Sequence, residues 1–261
     1  MNHSDQAQAN LKAAQSNSTR KQPNIDWATI DTVLLDMDGT LLDLHFDNYF
    51  WLEHLPKRYA EHHQLDEQQS REHLHQQIKA YQGTLQWYCL DHWSTLVQMD
   101  IPSLKREIKH KIGMRPHSER FLRFLKQHNK QVILVTNAHR DGLNIKLEES
   151  KIAPWLDGIV SSHDYQIPKE APEFWLQLHA ALRFNPQRTL FIDDTPHIVA
   201  RAAEFGIAHL ACITAPDSQV APRPACNYDF LYINDFDQIL PINTADEAAT
   251  KNLDQAQTND D

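Results

Sequence analysis

Cysteine is scarce in this chain: Cys89, Cys212 and Cys226 are its whole complement in 261 residues, and no two of them form a CxxC pair. That argues against a disulfide framework or a zinc knuckle and makes a reducing cytosol the expected compartment. Positive charge is also short, with 25 Lys and Arg against 35 Asp and Glu, a net −10 with histidine neutral. Binding a nucleic-acid polymer needs clustered Lys and Arg against phosphates, so no such partner is expected. A small phosphorylated substrate stays open, because one metal ion and one or two cations can neutralise it. No apolar run approaches the roughly 20 residues of a membrane span. The opening MNHSDQAQANLKAAQSNSTRKQ has no apolar core of a secretory signal. The expectation is a cytoplasmic protein with no membrane partner. GxGxxG, Walker and GxSxG loops are absent as well, leaving dinucleotide, P-loop and serine-hydrolase readings without support.

What is present is enough chain for a large core: a protein this long buries roughly 70% of its unfolded surface without staples. Residues 1–24 and 243–261 are polar, the latter acidic, and are expected to be disordered tails. Between them, short apolar runs alternate with amphipathic stretches. Strands are predicted at Thr32–Met37, Gln131–Thr136, Leu156–Ser161, Thr189–Asp194 and Ile207–Ile213. Helices are predicted at Ser118–His128, Glu173–Leu182 and Pro196–Phe205, the last stopped by a left-handed cap at Gly206. Alternation of this kind implies parallel crossovers and a three-layer α/β domain. From Asp47 to Gly113 the rhythm breaks, with candidate helices over Asn48–Gln64, Asp66–Gln82, Trp87–Met99 and Ser103–Ile112. Four helices cannot serve one crossover. Residues 47–113 therefore read as a helical insert that splits a sheet domain into residues 27–46 and 114–241.

In a parallel sheet, ligands bind beyond the carboxyl ends of the strands. The predicted strand ends carry Asp36-Met37-Asp38-Gly39-Thr40, Thr136-Asn137 and Asp193-Asp194, and Lys169 lies between the third strand and the next helix. A cluster of four carboxylates needs counter-charge, from Lys169 and from a bound cation. Oxygen-only ligands favour a hard ion such as Mg²⁺ over zinc. With Asp36 and Asp38 two apart, one carboxylate can face an electrophilic phosphorus while the other reaches the leaving oxygen. Phosphoryl transfer asks for such a nucleophile, for charge neutralisation and for a proton on the leaving alcohol. A single strand-end Asp is usually a turn or cap residue, but caps explain neither Lys169 nor the repeated acidic ends.

Val33–Thr40, Val135-Thr136-Asn137, Pro168-Lys169 and Phe191-Ile-Asp-Asp194, in that order, resemble the four motifs of the haloacid dehalogenase-like hydrolase superfamily. The insert resembles that superfamily's all-α C1-type cap. Leu41–Leu44, Phe46–Trp51, Trp87–Asp91, Thr136–His139 and Arg188–Asp194 are similar to the superfamily's bacterial GMP/IMP nucleotidases. The resemblance implies a Rossmann-like parallel sheet between helices and a Mg²⁺-dependent phosphomonoester hydrolase, with Mn²⁺ or another divalent ion as substitute. Under it, Asp36 is the nucleophile that forms an aspartyl-phosphate, and Asp38 is the acid and then the base. Asp36, the Asp38 carbonyl and an acid of the fourth motif, Asp194 in preference to Asp193, hold the metal. Thr136, the Asn137 N–H and Lys169 hold phosphoryl oxygens. GMP and IMP are the expected substrates, with phosphoglycolate or sugar phosphates, or a phosphomutase, as alternatives. Dehalogenation is disfavoured because dehalogenases usually lack the acid at position 38. A phospho-accepting signalling domain without turnover orders its Asp, Thr and Lys differently.

Substrate choice is assigned to the insert. Trp87 is a stacking wall for a purine or else ordinary packing in the insert's own small core, and Asp91 or Asp47 is an acceptor for a purine N1–H, with Phe46 beside the hinge. The sixteen histidines, densest at His62-His63 and His73-x-His75, lack HExxH or Cys/His spacing and read as solvated surface.

Overall fold

The computed structural model describes residues 25–241. The predicted tails, residues 1–24 and 243–261, lie outside the described residues, apart from any structural account. The core is one parallel sheet. Its strands are β1 (Thr32–Leu35), β2 (Gln131–Thr136), β3 (Gly158–Ser161), β4 (Thr189–Asp193), β5 (His209–Ile213) and β6 (Leu231–Ile233), in the order β3-β2-β1-β4-β5-β6. Every residue of β1 and β4 is buried, as expected where both faces of a parallel sheet are covered.

Eleven α-helices accompany the sheet among the described residues. Those packed on it are α7 (Ser118–Gln127), α8 (Arg140–Ser150), α10 (Pro172–Leu182) and α11 (Pro196–Phe205). Phe121, Leu122 and Leu125 of α7 and Leu143 of α8 join one apolar cluster with Val33, Leu35 and Leu134. Phe174, Trp175 and Leu178 of α10 and Ile198, Val199 and Ala202 of α11 join a second with Leu34, Ile133 and Phe191. The alternation Val33, Leu34, Leu35 thus feeds both faces in turn, and three layers result. Gly206 ends α11 with a left-handed φ of 106°, as predicted.

Between β1 and β2 no strand occurs among the described residues. α1 (His45–Tyr49) runs through a π-helical turn at Phe50–His54 into α2 (Leu55–His63). Then come α3 (Glu67–Tyr81), α4 (Leu85–Tyr88), α5 (Leu90–Val97) and α6 (Ile101–Glu107). This insert has its own core of Phe50, Leu55, Leu74, Trp93, Val97 and Ile101. The single helix predicted over Trp87–Met99 is broken at Cys89, whose backbone is extended, and ends at a left-handed Gln98. The insert leaves and returns through adjacent passages: Asp43 N–H donates to Gly113 O (2.9 Å) and Arg115 N–H to Leu41 O (2.9 Å).

Among the elements that escape the sequence reading are β6 and α8. β6 is an edge strand of three residues in which only Ile233 is buried, too short for a pattern. α8 buries Gly142, Leu143, Ile145 and Lys146. A glycine and a lysine in the buried stripe erase the apolar periodicity that announces a helix.

Candidate active site

The chain runs outward from β1 through β2 to β3, then returns to β4 on the other side of β1. The sheet therefore has its topological switch between β1 and β4, where ligand crevices form. Register sets Leu35 opposite both Leu134 and Ile192. The next residues, Asp36 and Asp193, accordingly meet at the switch point, with Thr136 and Asn137 beside them.

Asp36, Asp193 and Asp194 are all buried, and carboxylate oxygens of the three lie within 4.8 Å of one another. Lys169, 2% exposed, projects into this group. Its Nζ donates to Asp36 Oδ1 (2.6 Å), Asp193 Oδ2 (2.7 Å) and the Val135 carbonyl (3.1 Å), so all three ammonium hydrogens are committed. Its backbone is anchored too: Lys169 N–H donates to Asn137 Oδ1 (2.9 Å) and Trp175 Nε1 donates to Lys169 O (3.0 Å). Burial raises the Asp36 carboxyl well above the usual range; Lys169 opposes this, and Asp193, Asp194 and Asp38 reinforce it. Burial and Asp193 raise Asp194 to about 6 against the pull of Arg223 and Lys169. Burial pulls the Lys169 ammonium down, but Asp193 and Asp36 outweigh it and raise it overall.

The fourth motif is asymmetric. Asp193 is engaged on both oxygens, by Lys169 and by Thr195 N–H (2.8 Å). Asp194 is also engaged on both oxygens, Oδ1 by Thr195 Oγ1 (3.2 Å) and Oδ2 by Arg223 Nη1 (3.1 Å), but Arg223 is about half exposed where Lys169 is buried. Gly39 makes this approach possible. It has φ +78°, and a Cβ there would stand 2.8 Å from the Asp194 carboxyl and 2.9 Å from Pro216 Cβ.

Asp38 turns toward a residue the sequence reading missed. Lys146 Nζ, from the buried face of α8, lies 2.7 Å from Asp38 Oδ1 and 2.6 Å from Asp47 Oδ2. The other Asp47 oxygen accepts from Lys105 Nζ (2.8 Å). Lysines 105 and 146 both lie on otherwise apolar helix faces, and a lysine in a buried stripe was the available signal. Burial raises Asp38, with Lys146 opposing. Burial would raise Asp47 too, but Lys105 and Lys146 together hold it far below the ordinary range.

This geometry corrects the expectation for two hinge residues. Asp47 is no free acceptor for a purine edge, because each oxygen is taken by a buried lysine. Phe46 is no open wall either: it is 2% exposed, with Lys105 Nζ 4.9 Å and Lys146 Nζ 5.6 Å from its ring centre. Trp87 is half-buried against the insert's apolar core, and its carbonyl accepts from Trp93 Nε1 (2.9 Å). Asp91 is 77% exposed, 3.6 Å from His139 Nε2.

Asn137 and the insert are linked through Glu170. Asn137 Nδ2 donates to Glu170 Oε2 (2.9 Å) and the Tyr88 hydroxyl donates to Glu170 Oε1 (2.7 Å). Burial and the Glu170 charge push the Tyr88 hydroxyl well above its ordinary pKa, so it stays a donor. Thr136 is buried, its Oγ1 accepting from Ala138 N–H (3.0 Å). Arg115 is buried behind the turn after β1, where it donates to Thr40 O (3.0 Å), Ala215 O (3.1 Å) and Asn234 O (2.6 Å).

The arrangement offers a buried carboxyl group at Asp36, a second, partly buried acid nearby at Asp38 and two ammonium groups. Against known proteins, the family model for haloacid dehalogenase-like hydrolase matches residues 30–206. The chain is 41% identical over 218 residues to the GMP/IMP nucleotidase YrfG of Escherichia coli (strain K12), covering 84% of this chain and 97% of that protein. Among solved structures, a HAD phosphatase from Thermococcus onnurineus superposes with a TM-score of 0.67 at 18% identity, over 78% of this chain and 92% of that one. A putative HAD-hydrolase YfnB from Bacillus subtilis, bound to magnesium, gives 0.57 at 16% identity, over 80% and 96%. At such identities these two bear on the fold alone. No helix among the described residues is long and apolar enough to cross a membrane.

Proposed function

The chain belongs to the haloacid dehalogenase-like hydrolase family, and from that premise we propose that it is a phosphatase removing the 5′-phosphate of purine mononucleotides, GMP and IMP above others. The reaction class rests on one observation above all: Asp36, Asp38, Lys169 and the Asp193–Asp194 pair converge at the switch point of the sheet. The substrate rests on the similarity to a GMP/IMP nucleotidase over 97% of that protein's length.

In this reading a carboxylate oxygen of Asp36 attacks phosphorus and the bond to the ribose O5′ breaks. Asp38, whose burial favours its protonated form, gives its proton to the departing oxygen. It then takes a proton from a water that attacks phosphorus, freeing Asp36 and inorganic phosphate. Thr136 and the Asn137 N–H orient phosphoryl oxygens. Lys169 neutralises the incoming charge, and a phosphoryl oxygen that reaches its ammonium takes the place of one of three present acceptors. Lys146 holds Asp38 toward the site.

The strand-end oxygens suit a hard divalent cation, Mg²⁺ or Mn²⁺. They are all carboxylate, close-set and buried, and Gly39 leaves room where a Cβ would intrude. Asp36, Asp194 and the Asp38 carbonyl would hold it. Asp193 is held by the buried Lys169 whereas the Oδ2 of Asp194 is held only by the half-exposed Arg223, which supports Asp194 as the ligand from that pair. When bound, the ion supplies the positive charge that lets an anionic nucleophile and an anionic ester meet.

Residues 47–113 act as a cap over a core formed by 27–46 and 114–241. Asp91, at the rim, is the acceptor left to read a purine N1–H, with Trp87 and Tyr88 beside it. A site of this kind separates GMP and IMP from AMP, which has no N1–H donor. The test is a phosphate-release screen of nucleoside monophosphates, sugar phosphates and phosphoglycolate, with Mg²⁺ and with EDTA. GMP and IMP should lead in kcat/KM, and EDTA should abolish release. A sugar phosphate or phosphoglycolate at the head of the ranking would refute the nucleotidase reading while leaving a phosphatase. Turnover unaffected by EDTA would refute the metal.

A further inference from the structure

No chain-local spacing recommends the histidines as metal ligands, yet the fold assembles three soft donors from separate elements. Cys89 sits in the extended break between α4 and α5 of the insert. His139 is the N-cap residue of α8, directly after β2. His163 lies in α9 (Ser162–Tyr165), directly after β3. The Cys89 sulfur and one ring nitrogen from each histidine all lie within 4.8 Å of one another. The two imidazoles meet edge-on, centroids 4.9 Å apart at 86°. Nε2 of His163 is enclosed, with no hydrogen-bond partner among the described residues. An enclosed, unpaired ring nitrogen is costly unless something coordinates it. Burial and the neighbouring His139 hold the His163 ring near a pKa of about 4, so it is neutral and its lone pair is available. Cys89 is only partly buried and is reduced.

We propose that Cys89, His139 and His163 form a second cation site, for a zinc-class transition metal, separate from the all-oxygen cluster at the strand ends. One thiolate and two imidazoles make a borderline-soft set that selects zinc over magnesium. Zn–S and Zn–N bonds of about 2.3 and 2.0–2.1 Å set tetrahedral donors about 3.3–3.8 Å apart. The observed cluster therefore closes on an ion with side-chain shifts of about 1 Å. The fourth position falls to water, which leaves the Asp91 carboxylate free for its role at the rim. On coordination the Cys89 thiol loses its proton to solvent, and the imidazoles bind in the neutral form. Because Cys89 belongs to the insert and both histidines to the sheet portion, an occupied site staples the two beside the Tyr88–Glu170–Asn137 chain. The proposal concerns binding and does not depend on which phosphate ester is hydrolysed.

The test is a titration of Co²⁺, an optically visible substitute for zinc, into the full chain in saturating Mg²⁺ and a phosphine reductant. One equivalent should produce tetrahedral d–d bands and a thiolate-to-cobalt charge-transfer band, both erased by zinc. Cys89→Ser should remove the charge-transfer band, and His139→Ala and His163→Ala should each weaken binding at least about tenfold. Cys226→Ser, at an exposed cysteine outside the cluster, should change nothing. Circular dichroism verifies folding of each variant, and the two histidine variants carry the test if Cys89→Ser misfolds. Absence of a charge-transfer band in the native chain, its survival in Cys89→Ser, or unchanged affinity in both histidine variants would each overturn the site.

Discussion

Two buried charge clusters adjoin in this molecule, and they are balanced differently. At the strand ends Asp36, Asp193 and Asp194 share one buried lysine, Lys169, with the half-exposed Arg223 at the margin. At the junction with the insert the proportions are reversed: Asp47 lies between two buried lysines, Lys105 and Lys146. The junction by itself carries one surplus positive charge, which Lys146 shares with Asp38, so that the two lysines and two carboxylates balance. The strand-end cluster is left short of positive charge, and burial holds Asp36 and Asp194 above the ordinary carboxylate range. A fold gains nothing in stability from such a deficit, since buried charge without a partner is costly. The deficit is what a divalent cation would repair, whereas the junction is complete without one. In the proposed function the unbalanced cluster is the place of chemistry and the balanced one the place of positioning.

This contrast can be broken most forcefully at Lys169. Lys169→Met should lower kcat/KM by about 10²- to 10³-fold and stability by about 3–5 kcal/mol, because two buried carboxylates lose their partner. Added Mg²⁺ should restore part of the lost melting temperature, since an ion that binds only the folded state stabilises it. Failure of Mg²⁺ to raise the variant's Tm would erase the distinction between the clusters.

Asp47→Asn tests the other side. Lys105 is left without a carboxylate and Lys146 with only Asp38, so urea unfolding should report a loss of about 3–5 kcal/mol that Mg²⁺ does not restore. Asp91→Asn, at an exposed side chain, should stay within about 0.5 kcal/mol of the native chain while changing the ratio of GMP to AMP turnover. Equal stability of the two variants would contradict the structural role given to Asp47.

A smaller effect is expected at Gly39. Gly39→Ala sets a methyl group against the Asp194 carboxyl on a left-handed backbone, and should cost about 1–3 kcal/mol. It should also raise the Mg²⁺ concentration for half-maximal activity, and an unchanged metal requirement would place the ion elsewhere.

The mildest effect concerns pH. His163 titrates near about 4 in the fold against an ordinary 6.5. The unfolded chain therefore takes up the proton first as pH falls. Stability from this residue is complete above 6.5 and is lost as pH drops toward 4. Urea midpoints in chelator should fall across that window, and less steeply in His163→Asn. Equal slopes would remove the burial argument for this ring.

The two clusters also differ in how they are written in the sequence. Asp36, Asp38, Thr136, Asn137, Asp193 and Asp194 sit at or just past strand ends, and a parallel register brings strand ends together whatever the helices do. Apolar runs followed by these residues were enough to find them, as they were for five of the six strands. Lys105 and Lys146 reach the site from helices whose orientation depends on how the insert packs, and no local spacing encodes that. Phe46 and Asp47 were legible as special but misjudged, because their exposure is decided by two lysines far along the chain. Cys89, His139 and His163 are the extreme case, adjacent only after β2, β3 and the insert have met.

The most direct measurement of the central claim is acid-quench trapping during turnover of phosphate-labelled GMP, followed by peptide mapping. The account predicts a transient, Mg²⁺-dependent phosphoryl label on the peptide carrying Asp36, absent in Asp36→Asn, a variant that should retain its fold and lose about 10⁴-fold or more of its turnover. A native enzyme that turns over GMP with no protein-bound label at any quench time, or with the label on another residue, would contradict it.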